Sequence, residues 1–182
     1  MLVLAALTAV TALSVSPVAQ AEERTCRGTL GAVTVDNLRV PQNATCTLNG
    51  TRVGGNVVVE RGATLAANNI RVRGSVQAEG ARSVRLQAGS RVNGDVQLKA
   101  GGSATVRDSF VGGTLLLDTN NGTFDLSRNR IEGNLQAFQN TGALSIFNNT
   151  IDENLQCKAN NPPPTGGGNI VGGNKEDQCA GL

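Results

Sequence analysis

The chain has 182 residues, sixteen basic and fourteen acidic, with four Phe and no His, Trp or Tyr. That length suits one domain, and a net charge of +2 is too balanced to point to nucleic acid. Without His, neither Ser–His–Asp nor Cys–His catalysis is available.

Residues 1–21, MLVLAALTAVTALSVSPVAQA, carry no charged side chain and end in Ala19-Gln20-Ala21. An apolar run closed by a small-x-small pattern predicts a cleaved secretory signal peptide, with the mature chain starting near Glu22. Ser14, Ser16, Pro17 and Gln20 interrupt the run, so it does not read as a membrane span, and no membrane association is expected after cleavage. All four cysteines, Cys26, Cys46, Cys157 and Cys179, follow this segment. An even count behind a signal peptide predicts two disulfides and a secreted protein, extracellular or at the cell surface.

Residues 22–43 read as an N-terminal cap and partial coil. From 44 to 158 the chain is one repeat. The octets RVGGNVVV (52–59), RVRGSVQA (71–78), RVNGDVQL (91–98), FVGGTLLL (110–117), RIEGNLQA (130–137) and TIDENLQC (150–157) follow one another at spacings of 19, 20, 19, 20 and 20 residues. Degraded copies flank them, TVDNLRV at 34–40 and NIVGGNK at 169–175. Within an octet the apolar letters fall mainly at positions two, six and eight, the alternation of a strand and not the period of a helix. A second alternating segment precedes each octet, as in TLAAN (64–68) and SVRLQ (83–87). Gly or Asn stands between the segments, residues that suit tight turns.

A unit this short cannot bury its own apolar side, whereas stacked units can. The prediction is an all-β, single-domain parallel β-helix (β-solenoid) of about seven coils. At about 4.8 Å per rung it forms a rod roughly 30–35 Å long. A leucine-rich repeat fits FDLSRNRIEGNL (124–135) but fails in the other copies, and no copy has a helix-like outer segment. In repeat length and alternation over about residues 34–175 the chain resembles the right-handed parallel β-helix proteins of the pectin-lyase-like superfold. That resemblance implies the fold, and it admits polysaccharide lyases and glycoside hydrolases as an alternative to a binding protein.

Cys46 and Cys157 fall in inward columns at opposite ends of the repeat. Pairing Cys26 with Cys46 and Cys157 with Cys179 staples each cap to its terminal coil, while the other two connectivities require contact between opposite ends of the rod. The stretch NNPPPTGGG (160–168) predicts a loop leaving the last coil, and 159–182 as a whole reads as a Pro/Gly loop and C-terminal cap. With no His and no closely spaced cysteines, no metal site or other cofactor is expected.

Function on such a fold belongs to the outward columns. Octet position one gives Arg52, Arg71, Arg91 and Arg130, interrupted by Phe110 and ended by Thr150. Position seven gives Gln77, Gln97, Gln136 and Gln156, and position five a run rich in Asn. Amide ladders reinforce a stack by hydrogen bonding along it. Stacked arginines repel unless acids or a polyanion lie alongside; the sequence offers Glu60, Glu79, Glu132 and Asp95 as internal acids. No compact cluster of acids marks a catalytic site. The reading is a secreted, non-enzymatic structural or binding protein that displays an Arg/Asn/Gln face, with Arg52, Arg71, Arg91, Arg130, Gln77, Gln97 and Gln136 as candidate binding residues. The partner chemistry is an acidic cell-wall or surface polysaccharide. A self-assembling surface protein, associating end to end or laterally, is a further alternative.

Overall fold

The computed structural model describes residues 22–182; the expected signal peptide lies outside the described residues. The chain winds into a parallel β-solenoid built of three sheets. The first sheet has nine strands, running from Glu23–Thr25 to Lys175–Asp177. The second has eight, from Gly28–Leu30 to Thr165–Gly167, and the third has eight two-residue strands, from Thr34–Val35 to Ile170–Val171. Each coil visits the three sheets in turn, and successive coils pair in parallel register, as in Val76↔Val96 and Arg91↔Arg71. No helix occurs among the described residues.

The rod has about eight coils and not seven, because both degraded flanks complete full turns. Thr34–Val35 and Asn37–Val40 pair with the coil of 52–59, and Ile170–Val171 and Lys175–Asp177 pair with that of 150–158. The N-terminal flank adds two more strands, Glu23–Thr25 and Gly28–Leu30.

The inward columns run as the octets predict. Val57, Val76, Val96, Leu115, Leu135 and Leu155 stack in one register and are all buried. A narrow interior filled by aliphatic side chains of similar size stacked on one another is what a parallel ladder packs best.

Both disulfides form, Cys26–Cys46 and Cys157–Cys179, with Cα separations of 5.6 Å and 5.3 Å. They are compatible with an oxidising, extracellular setting. At the C-terminal end a turn follows, in which the Leu182 amide donates to the Cys179 carbonyl at 3.1 Å, and Leu182 packs against the core. The glycine run does not simply loop out: Thr165–Gly167 pairs with Ser145–Phe147 as the last strand of the second sheet. Three prolines make the corner before it, and the ladder resumes as soon as backbone donors return.

The corners hold two surprises. The left-handed residues are only in part the Asn and Gly that turn chemistry favours. Ala88, Ala100, Asp108, Thr119, Arg128, Gln139 and Ala159 also adopt φ between 48° and 57°. From Thr119 onward to Gly168, the residue after each left-handed corner position is an asparagine that turns inward. Asn120, Asn140 and Asn160 form one buried column, and Asn129, Asn149 and Asn169 form another. The octet glycines serve a different need from a left-handed bend. A Cβ on Gly94 would lie 2.9 Å from the carbonyl oxygen of Gly74 in the coil below, so the coils could not approach so closely.

Candidate functional site

Octet position one places its side chains on the outer surface of the third sheet. Register there runs Thr34, Arg52, Arg71, Arg91, Phe110, Arg130, Thr150 and Ile170, one residue per coil. The residue after each of these short strands adds a parallel column, in which Asp36, Gly54, Arg73, Asn93, Gly112, Glu132 and Asp152 succeed one another. The two columns lie on one narrow face, because a two-residue strand exposes one side chain before the chain bends at the octet corner.

The arginines on this face are not equivalent. Arg130 donates to Asp152 at 2.8 Å. Arg91 lies with its guanidinium carbon 3.7 Å from the centroid of the Phe110 ring, and its Nε donates to Asn93 Oδ1 at 3.2 Å. Stacking on an aromatic face and one hydrogen bond hold that guanidinium in place and leave its remaining N–H groups free. Arg52, Arg71 and Arg73 are exposed. Among the described residues none of these three, nor Arg91, makes an ion pair with a carboxylate. All four line a shallow groove of about 410 Å³, whose N-terminal end is formed by Thr34 and Asp36.

Apart from Asp36 at the groove's N-terminal end, the acids that could balance this charge are elsewhere. Glu60 accepts from Arg39 Nη1 at 2.7 Å and from the Gln42 amide at 2.9 Å. Asp95 Oδ1 accepts from the Thr114 amide at 2.9 Å. Glu79 belongs to the first sheet, and Glu132 lies two rungs beyond Arg91. On the second-sheet side, the remaining arginine–acid pairs are internal. Arg128 makes a two-pronged contact with Asp108 at 2.6 Å and 2.8 Å, and Arg107 pairs with Asp125. Hydrogen bonding from Arg128 holds the Asp108 carboxyl below its ordinary value, and hydrogen bonding from Arg107 does the same for Asp125. These carboxylates are ionised and spoken for, which removes them as general acids.

The structure separates the arginine and glutamine columns that the sequence suggested as one face. Gln77, Gln97 and Gln136 lie on the first sheet, across a corner from the arginines. The reason is the bend between octet positions three and six, which turns the second half of each octet onto another side of the rod. Toward the C-terminal end the column works along the stack: Gln136 donates to Gln156 at 2.7 Å, and Gln156 to Glu176 at 2.9 Å, whereas Gln97 donates within its own coil to Asp95 at 3.4 Å. The position-five side chains are structural too. Asn56 Oδ1 accepts from the Ser75 amide, Ser75 Oγ from the Asp95 amide, and Asn134 Oδ1 from the Asn154 amide, each at 2.9–3.0 Å. These groups stitch corners together and have little capacity left for a ligand.

No family model, curated protein or solved structure matches this chain. Function therefore has to be read from this face itself. Among the described residues, no group of three or more His, Cys, Asp or Glu side chains converges in a way that could hold a metal ion. Arg73 is the one member of the groove that position-by-position comparison of the octets underweights, since it stands alone in its column. The signal was present in the spelling RVR at 71–73, which puts two outward arginines on one rung.

Proposed function

We propose that this protein is a secreted, non-enzymatic binding module that grips an acidic surface or cell-wall polysaccharide along the N-terminal half of its third sheet. The observation that carries the reading is the set Arg52, Arg71, Arg73 and Arg91, exposed in one groove without a carboxylate partner. Like charges stacked at the spacing of a parallel ladder repel, and a counter-charge relieves that repulsion. Arginine suits the task because its planar fork meets carboxylates and sulfates with two parallel hydrogen bonds. A rigid rod with buried aliphatic columns holds these side chains at fixed spacing, so little backbone ordering is needed on binding. The absence of His and Tyr from the chain, and the engagement of Asp108 and Asp125 by arginines, favour binding over turnover.

Affinity electrophoresis in gels containing acidic or neutral polysaccharide tests this. The protein is retarded by acidic polymer at low salt, released by added salt, and unaffected by neutral polymer. Reversing charge with Arg71→Glu and Arg73→Glu abolishes the retardation. Absence of retardation by every acidic polysaccharide at low salt refutes the reading.

A further inference from the structure

We infer that the arginine groove reads a short run of about three consecutive acidic groups, one on each of the rungs of Arg52, Arg71 and Arg91, and is closed at both ends. This rests on the polyanion reading above and sharpens it: the ligand segment is a short acidic stretch or a chain end, and not a long chain lying the whole length of the rod.

Both boundaries are charged or apolar side chains on the same face. At the N-terminal end the exposed carboxylate of Asp36 faces any anion that extends past Arg52. At the C-terminal end Phe110 takes the place of an arginine, with the Arg91 guanidinium stacked on its ring. Beyond it Glu132 and Asp152 occupy the column of Arg73, and Asp152 already neutralises Arg130. A polyanion running on past Phe110 meets carboxylates in place of guanidinium groups. Between the boundaries the rungs repeat at about 4.8 Å, comparable to the length of one sugar residue in an extended chain, so each rung meets roughly one acidic residue.

Gly54 is an independent observation. It lies in the groove, in the column between Asp36 and Arg73. A Cβ built there would meet its nearest atoms, the carbonyl oxygens of Asp36 and Val35, at 3.7 Å, an ordinary contact. At Gly133 a Cβ would be 2.8 Å from the Gly113 carbonyl, so glycine is required there by packing. Packing makes no such demand at 54. The missing side chain leaves the groove floor open among the arginines, where later coils of the same column present Glu132 and Asp152.

Calorimetric titration of the purified protein with uronic-acid oligomers of increasing length, each residue carrying a carboxylate, tests the boundaries. Affinity improves about tenfold with each added carboxylate up to about three, the scale of one charge-assisted hydrogen bond. The heat per bound oligomer levels off there. Heat that keeps growing out to about eight carboxylates overturns the closed site. Retention of long polymer with no binding of any oligomer overturns it as well, while leaving the polyanion reading standing; loss of both overturns that reading too. Gly54→Glu, which supplies the carboxylate found in later coils, weakens binding by at least about tenfold while keeping the parent melting temperature. Phe110→Arg moves the plateau out by one carboxylate. Unchanged binding in a well-folded Gly54→Glu variant overturns the inference.

Discussion

Asn129 Nδ2 donates to Asn149 Oδ1 at 3.0 Å, in the interior of the rod where both side chains are buried. The same oxygen accepts from the Asn129 backbone amide at 3.0 Å, and Asn149 Nδ2 donates onward to Asn169 Oδ1 and to the Leu126 carbonyl. A second column repeats the arrangement through Asn120, Asn140 and Asn160, and Gln178 closes it by accepting from Asn160 at 3.1 Å. Every side-chain polar atom in these columns is used, and corner amides such as those of Asn129 and Asn149 are paired by them. Among the described residues no buried side-chain nitrogen or oxygen lacks a partner.

Asn149→Ala therefore strips partners from a backbone amide, a carbonyl and two neighbouring amides at once. Each buried group left unpaired costs about 1–3 kcal/mol, so a loss of about 3–5 kcal/mol is expected in urea unfolding. Gln97→Ala, on the outer surface of the first sheet, should stay within about 0.5 kcal/mol of the parent. A change below about 1 kcal/mol in Asn149→Ala would show that the ladder is dispensable.

The strand columns and the position of the arginines follow from reading one octet against the next; the disulfide pairs do not, since four cysteines allow three connectivities and only the distance between the rod ends disfavours the two long ones. Alternation of period two assigns Val92, Val96 and Leu98 inward and Arg91 and Gln97 outward, and the structure places them so. What the octets could not convey lies at the corners. Asparagine looks like a turn residue in any sequence, and Asn129, Asn149 and Asn169 differ from surface asparagines only in recurring every 20 residues one place after the left-handed position. The eighth coil was hidden for a related reason. TVDNLRV lacks a residue at the corner, yet its paired positions Val35 and Leu38 keep the columns of Val53 and Val57. Likewise, a linear octet does not reveal that Arg91 and Gln97 face different directions, since that depends on how sharply the chain bends between them.

The ends of the rod carry like charges in one column. Arg24 precedes Leu38 in the first sheet, and Lys175 follows Leu155, so both extend the aliphatic inward stack. A head-to-tail contact between two molecules would set Arg24 against Lys175, and such charge on an edge strand opposes continuation of the ladder. The double change Arg24→Leu and Lys175→Leu removes that obstacle. Sedimentation velocity should then show concentration-dependent association beyond that of the parent. Equal behaviour of the two proteins would mean that the end charges do not govern assembly.

Each disulfide closes a loop of similar length, with sequence separations of 20 and 22 residues. Constraint of the unfolded chain alone makes each worth about 3 kcal/mol. Replacing Cys157 and Cys179 with Ala should cost about that much and also release the turn that seats Leu182. Hydrogen exchange should then rise across 175–182 while the central coils keep their protection. Uniform loss of protection along the rod would contradict a local role for this staple.

Stability should fall in acid through two identifiable carboxylates. Asp108 and Asp125 have folded values held below the ordinary range, chiefly by hydrogen bonds from Arg128 and Arg107. A carboxyl whose value is lower in the folded state binds fewer protons there than in the unfolded chain. Its stabilising contribution is complete above the unfolded value of about 3.9, and it is lost as pH drops through the lower folded value. Asp108→Asn and Asp125→Asn remove this contribution at neutral pH and leave nothing further to lose in acid. Both pairs are partly exposed, so the difference in unfolding midpoint between parent and variant is small at pH 7. It should be constant down to about pH 5 and close below about pH 4. A gap that widens on acidification would reverse the sign and show that these arginine pairs do not stabilise the folded chain.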